Sequence, residues 1–204
     1  MNTTYFVERS AHGTNQITLK SKLLEKRIIF LDKKIDSESM NEIIQQISLL
    51  SIESPDEPIT MLINSPGGSI LNGMVIIDAM NSCPCEIRTV SLGIAASMAA
   101  VILAAGSKRF ASQNSQVMLH QPLVQGLPGG SCSEIEDVAN SLMKTKAELD
   151  RLLTRLTGKS IKTIRKLTSK DTYMSAEEAL EYGLIDAIAE GNLLNNLLTG
   201  GMIE

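Results

Sequence analysis

Aromatic side chains are almost missing from this chain. None of its 204 residues is tryptophan, and only three are tyrosine and three phenylalanine. Few large rigid anchors are therefore available for docking a partner, and the core has to be aliphatic, helped by ten methionines that adapt to irregular spaces. An excess of positive charge is missing too. With 19 Lys and Arg against 23 Asp and Glu, the net charge is −4 and no long basic block occurs, which argues against a protein held by nucleic acid phosphates. Cysteine is sparse and odd in number. The Cys83-Pro84-Cys85 spacing matches neither a zinc knuckle nor a redox pair, so Cys83, Cys85 and Cys132 read as reduced thiols. Long apolar runs are absent as well: the richest, Ile94 through Ala105, contains Ser97, stops at Gly106 and falls short of the roughly 20 residues that cross a bilayer. The N-terminus carries no basic segment feeding an apolar run and a cleavage site, so the expectation is a cytoplasmic protein without a membrane partner. What is present, 43% hydrophobic residues in a chain of this length, suits a single folded domain.

Short apolar runs alternate with helical patterns. A polar opening at residues 8–18 shows no regular period and reads as a surface arm or loop. Arg27 to Leu31 reads as a strand, and Ser37 opens a helix whose apolar positions Met40, Ile43, Ile44, Ile47 and Leu50 recur at helical spacing. After Pro55 and Pro58, the run Ile59 to Ile63, the turn Asn64-Ser65-Pro66-Gly67-Gly68 and the segment Ile70 to Met80 make a strand-turn-helix unit. Ile87 to Leu92 reads as a strand ended by Gly93, with a buried small-residue helix over Ala95 to Ala105. Lys108 to Phe110 and Val117 to Leu119 are short strand candidates, the second placing His120 just beyond a strand end. A loop bearing Gly126, Pro128, Gly129 and Gly130 precedes a long helix beginning near Ser133, with Glu136 placed for a capping box and Gly158 as its stop. Ile161, Ile164 and Leu167 mark a short helix. Ser175 and Glu178 fit a second capping box opening Ala176 to Tyr182, and Leu184 to Ile188 is the final strand candidate. Strands separated by helices predict an α/β layer fold. The polar tail from Asn192 carries no pattern.

Three places can carry chemistry. The glycine pair in Ser65-Pro66-Gly67-Gly68-Ser69, at the foot of a helix, either makes a tight turn or exposes backbone N–H groups to an anion. A nucleotide is disfavoured, since neither the lysine-bearing phosphate loop nor the three-glycine dinucleotide pattern occurs. Ser97 puts one hydroxyl into an apolar strand-to-helix junction, where it either caps the helix or serves as a nucleophile. A nucleophile needs a base. His120 is the better candidate of two histidines, His12 lying in the polar opening, and Asp171 ahead of a capped helix can orient it or be an ordinary turn residue. No close cluster of histidines and carboxylates accompanies His120, so no metal is expected.

The motifs Asn64-Ser65-Pro66-Gly67-Gly68, Gly93-Ile94-Ala95-Ala96-Ser97-Met98-Ala99, Met118-Leu119-His120-Gln121-Pro122-Leu123 and Asp171-Thr172-Tyr173-Met174-Ser175-Ala176 together resemble the ClpP family of ATP-dependent serine peptidases. Arg27-Ile28-Ile29-Phe30-Leu31 and Glu181-Tyr182-Gly183-Leu184-Ile185-Asp186 extend the likeness over almost the whole chain. The resemblance implies Ser97 as nucleophile, His120 as base and Asp171 as orienting acid, with the backbone N–H groups of Gly68 and Met98 as an oxyanion hole. It further implies that Ser69, Ile70, Gln121, Pro122, Leu123 and Val124 align an extended substrate. The implied fold is a ClpP/crotonase-like repeated β-β-α superhelical core with a projecting helical handle. An N-terminal axial arm would cover residues 1–18, one peptidase domain 19–192 with its handle around 124–158, and a C-terminal tail 193–204. The implied assembly is two stacked seven-subunit rings enclosing the sites, fed with unfolded polypeptides by a separate Clp-family AAA+ ATPase. No cofactor is implied.

Some residues depart from the family's pattern. Thr60, Leu62 and Ser82 stand where family members commonly carry aromatic pockets for the ATPase. This motivates the expectation of a paralogous subunit that works in mixed rings beside a second ClpP paralogue. Ala99, Val124-Gln125-Gly126, the loop 127–133 and Ser169-Lys170 also differ from the usual residues. The alternative to an endopeptidase is a weakly active or regulatory scaffold subunit of such a ring. Crotonase-like acyl-CoA chemistry is a remote third reading.

Overall fold

The aliphatic runs at 28–31, 59–63 and 87–92 pair into a sheet, and helices fold back across it. The computed structural model describes residues 5–10, 13–124, 126 and 129–200. His12, Gln125, Leu127, Pro128 and residues 201–204 of the tail lie outside the described residues. A hairpin of β1 (Tyr5–Ser10) and β2 (Gly13–Thr18) leads into α1 (Leu19–Leu24). Then follow β3 (Ile28–Leu31), α2 (Ser37–Glu53), β4 (Ile59–Ser65), α3 (Ile70–Ser82), β5 (Ile87–Ala96), α4 (Met98–Ala104) and β6 (Lys108–Ser112). The remainder comprises β7 (Gln116–Leu119), α5 (Cys132–Thr157), α6 (Ile161–Thr168), β8 (Thr172–Met174), α7 (Ala176–Glu181), β9 (Ala187–Ala189) and α8 (Gly191–Thr199).

The main sheet runs β3-β4-β5-β6-β9, all parallel, while β7 pairs with the end of β5 and β8 joins β7 antiparallel. This corrects the repeated β-β-α superhelical core expected from the resemblance. β3, β4 and β5 are each followed by one helix that crosses over to the next parallel strand, so the unit there is one strand per helix. Side chains alternate across the sheet. Ile29, Leu31, Met61 and Ile63 join the larger core under α2, α3 and α4, whereas Ile28, Leu62, Val90 and Phe110 pack on the opposite face with Leu197 of α8. The patternless tail thus contributes a helix that covers the second face. Thr60 and Leu62 are buried, and Ser82 is exposed.

β5 runs further than its apolar run suggested. Its first half bonds β6 through Arg88–Ser91 and its last three residues bond β7, with a register shift opposite Asn64 where Gly93 has φ +95. A side chain at Gly93 would meet the Asn64 Oδ1, which accepts the Ile94 N–H at 3.2 Å. The extension matters because it carries the strand end to the site described below. The long helix α5 begins at Cys132, close to the expected start, but its capping box lies two residues earlier than expected. Ser131/Glu134 and Ser133/Glu136 have identical capping-box spacing, and the chain uses the first: Ser131 accepts from the Glu134 N–H, and Glu134 from the Ser131 N–H.

Two arginines tie the layers together. Arg27, at φ 58, donates to the carbonyls of Leu50, Ser54, Glu57 and Pro58 and so clamps the end of α2 and its following loop to the head of β3. Arg109 on β6 grips the Asp186 carboxylate through Nε and Nη2 and donates to the Leu156 and Gly183 carbonyls. Partial burial pushes the Asp186 carboxyl up, but the side-chain and backbone hydrogen bonds from Arg109 outweigh it and hold the group below its ordinary value. A carboxylate lowered in this way stabilises the fold above its unfolded pKa, and the contribution fades as pH falls through the folded one. The advantage of the native protein over Asp186→Asn in urea unfolding is therefore expected to be full near neutrality and to shrink as pH drops from about 5 to about 3. A gap that stays constant over that range would refute the assignment.

Candidate active site

The pairing register assembles the three chemistry-bearing residues. Ala96 lies opposite Met118 and Leu119 opposite Thr172, so Ser97, His120 and Asp171 each stand one residue beyond a paired position, on three adjacent strand ends. Ser97 joins β5 to α4 with φ 56 and ψ −123, a left-handed backbone that an L-residue holds only under constraint. The constraint is visible. Its N–H donates to the Met118 carbonyl at 2.8 Å, and its own carbonyl accepts from the N–H groups of Ala100 and Val101. The hydroxyl makes no cap bond to α4. It lies 2.7 Å from Nε2 of His120.

Asp171 is set less tightly. Its Oδ1 is 3.8 Å from Nδ1 of His120, beyond direct hydrogen-bond reach, and its side chain is 67% exposed against 15% for the histidine. The three groups therefore form a sequence of one short and one long contact. Its order is hydroxyl, imidazole, carboxylate.

A cavity of about 730 Å³ opens over Ser97 and His120. Gly67 and Gly68 form one wall. Ile35 donates its N–H to the Gly67 carbonyl and accepts from the Ser69 N–H, as in a parallel strand bridge, which turns the N–H and C=O of Gly68 away from Ile35. Met98 is the first residue of α4, so its N–H has no intrahelical acceptor, and both Gly68 and Met98 line the cavity. Of the residues expected to align a substrate, Ser69, Ile70, Gln121, Pro122 and Leu123 line it. Val124 is exposed and does not.

Other lining residues escaped the sequence reading. Lys34, Ile35, Asp36 and Ser37 come from the β3–α2 connection, where Asp36 is held below its ordinary value chiefly by the Ser39 backbone N–H it accepts as a helix cap. Leu149, Asp150 and Leu153 of α5 and Thr168 of α6 close the far side. Asp150 is the legible one in hindsight, because it interrupts a leucine stripe. Its carboxylate is buried, accepts from Lys146 at 2.9 Å, faces Arg165 at 3.5 Å and lies 3.4 Å from the Thr168 hydroxyl. Among the described residues, no three His, Cys, Asp or Glu side chains group to hold a metal ion.

This arrangement can activate a hydroxyl for attack on a carbonyl held in the cavity. The family model described as Clp protease matches residues 11–192. The chain is 43% identical over 192 residues to the ATP-dependent Clp protease proteolytic subunit 1 of Corynebacterium diphtheriae, covering 93% of this chain and 91% of the relative. It is 44% identical over 187 residues to the protein of the same description from Mycolicibacterium paratuberculosis, covering 91% and 89%.

Proposed function

From the premise that this chain belongs to the Clp protease family, we propose that it cuts peptide bonds with Ser97 as nucleophile, His120 as base and Asp171 as orienting acid. It is a serine endopeptidase acting on unfolded polypeptides. Nε2 of His120 takes the Ser97 proton as Oγ bonds to the substrate carbonyl carbon. The imidazolium then returns that proton to the leaving amine, giving an acyl-enzyme. Water repeats the sequence, its proton passing to His120 and its oxygen to the acyl carbon, and Ser97 is restored. The N–H groups of Gly68 and Met98 receive the oxyanion at each stage, each such donor contributing about 3 kcal/mol in comparable chemistry. Ser69 and Ile70 on one side and Gln121, Pro122 and Leu123 on the other hold the substrate through its main chain, which leaves side-chain preference loose.

The single observation that carries this reading is the uncapped Ser97 hydroxyl, held on a constrained backbone 2.7 Å from His120. Its family works in oligomeric rings with an ATP-driven unfoldase as partner, and we read this protein as doing so in the cytoplasm. We read the assembly as two stacked seven-subunit rings. Thr60, Leu62 and Ser82 favour a mixed particle in which a second paralogue docks the ATPase, since none of them offers an aromatic wall. The test is a fluorophosphonate probe combined with a fluorogenic peptide. One label per chain, on Ser97, and peptide hydrolysis without nucleotide are expected, while a folded protein substrate is spared. Labelling elsewhere, or peptide turnover that survives complete labelling, would refute the proposal.

A further inference from the structure

We propose that Thr172 is a positioning residue whose hydroxyl fixes Asp171 against His120, an inference that rests on the catalytic reading above. A carboxylate that is 67% exposed has little packed around it, so its position has to come from the backbone that carries it. That backbone is the turn 169–171 between α6 and β8. One end hangs from Leu167 and Thr168, both buried, the latter beside Asp150. The other end is Thr172, which pairs with Leu119, the residue before His120.

Thr172 also closes the turn across its mouth. Its Oγ1 donates to the Leu167 carbonyl at 2.8 Å, five residues back, with the Lys170 carbonyl at 3.3 Å as a weaker second acceptor. Leu167 belongs to the last turn of α6, whose carbonyls have no intrahelical partner, so the hydroxyl satisfies one of them as it ties the turn down. One side chain thus links three things: the helix end, the turn bearing the acid, and the strand that leads to the base. Ser169 is no substitute, because its N–H at 3.4 Å and its hydroxyl at 2.8 Å both bond the Lys166 carbonyl and so fold it back on the helix end without spanning the turn to β8. Loss of the strut frees Asp171 to drift from a contact that is already 3.8 Å long. Errors of about 1 Å in such groups reduce rates by up to roughly a hundredfold.

Thr172→Val keeps the β-branch that suits β8 and removes only the hydroxyl, whereas Thr172→Ser keeps the hydroxyl. Assayed as the assembled protein on a short peptide, Thr172→Val is expected to lower kcat by about 5- to 30-fold with KM within about twofold. Thr172→Ser should recover kcat to within about threefold of the native protein, and Thr172→Val should add no further loss to Asp171→Asn, because both act on one contact. A native kcat for Thr172→Val alongside an impaired Asp171→Asn overturns the inference and leaves the catalytic reading standing. An equal loss in both backgrounds, or failure of Thr172→Ser to recover activity, also overturns it by assigning Thr172 a general structural role. A fully active Asp171→Asn defeats the catalytic reading itself.

Discussion

Ser97→Ala is expected to lower kcat for a short unstructured peptide by about 10⁵- to 10⁶-fold, with the assembled particle intact. The reasoning starts from what the hydroxyl does not do. It leaves α4 uncapped and contacts His120, so removing it takes nothing from the helix. Folding stability should change by less than about 0.5 kcal/mol, because the positive φ is imposed by backbone bonds to Met118, Ala100 and Val101 that alanine retains. Ser97→Gly gives the complementary result. It is equally inactive but more stable, by about 1 kcal/mol, since glycine adopts φ 56 without strain. His120→Ala should be nearly as damaging as Ser97→Ala, and the double variant no worse than either, because nucleophile and base act as one unit. Steady-state turnover, a urea melt and native mass measurement check these results together. A Ser97→Ala protein retaining more than about 1% of native kcat would rule out the hydroxyl as nucleophile.

The separation of catalytic from structural roles also explains what could be read from the chain alone. Local patterns suffice where the cause is local. The aliphatic runs at 28–31 and 59–63 form strands, and Ser175 with Glu178 caps α7. They fail where long-range pairing decides. Ala95 and Ala96 suit a helix as well as a strand, and pairing with β7, and of Ala95 with Ser65 of β4, draws them into β5. The two equivalent capping boxes ahead of α5 differ by context, not by spacing. Strand order is likewise a matter of which edges meet, so the β3-β4-β5-β6-β9 neighbours cannot be read from a list of elements. Ser97 and His120 are recognisable as types of residue, but a separation of 23 positions says nothing of a 2.7 Å contact until the register of β5 and β7 is known. The far wall at Leu149, Asp150 and Leu153 is hidden for the same reason. It belongs to a helix whose stripe shows that it packs, not what it packs over.

Gly67→Ala tests the backbone side of the site, where the expected effect is large for a single methyl group. Gly67 has φ +84, and a β-carbon there would lie 2.5 Å from the Ala96 carbonyl oxygen, 2.8 Å from the Ser97 Cβ and 2.9 Å from the Met98 nitrogen. The first and last of these are main-chain atoms at the strand-to-helix junction that holds the nucleophile and one proposed oxyanion donor. Neither side can give way cheaply. The loop is held by the Ser65 hydroxyl, which accepts the Gly67 N–H and donates to the Lys33 carbonyl, and by the Ile35 N–H on the Gly67 carbonyl. The junction is held by the Met118 carbonyl. Whichever moves, the distance between the Gly68 and Met98 amides changes, and kcat is expected to fall by at least about 100-fold with a stability loss of about 2–4 kcal/mol. Gly158→Ala isolates the collision from the conformational penalty. Gly158 caps α5 at φ +70 with nothing within 4 Å of an added β-carbon, so it should lose about 1 kcal/mol of stability and keep kcat within about twofold. If Gly67→Ala matches Gly158→Ala in both readouts, close approach of the glycine turn to the nucleophile is not what shapes the oxyanion site.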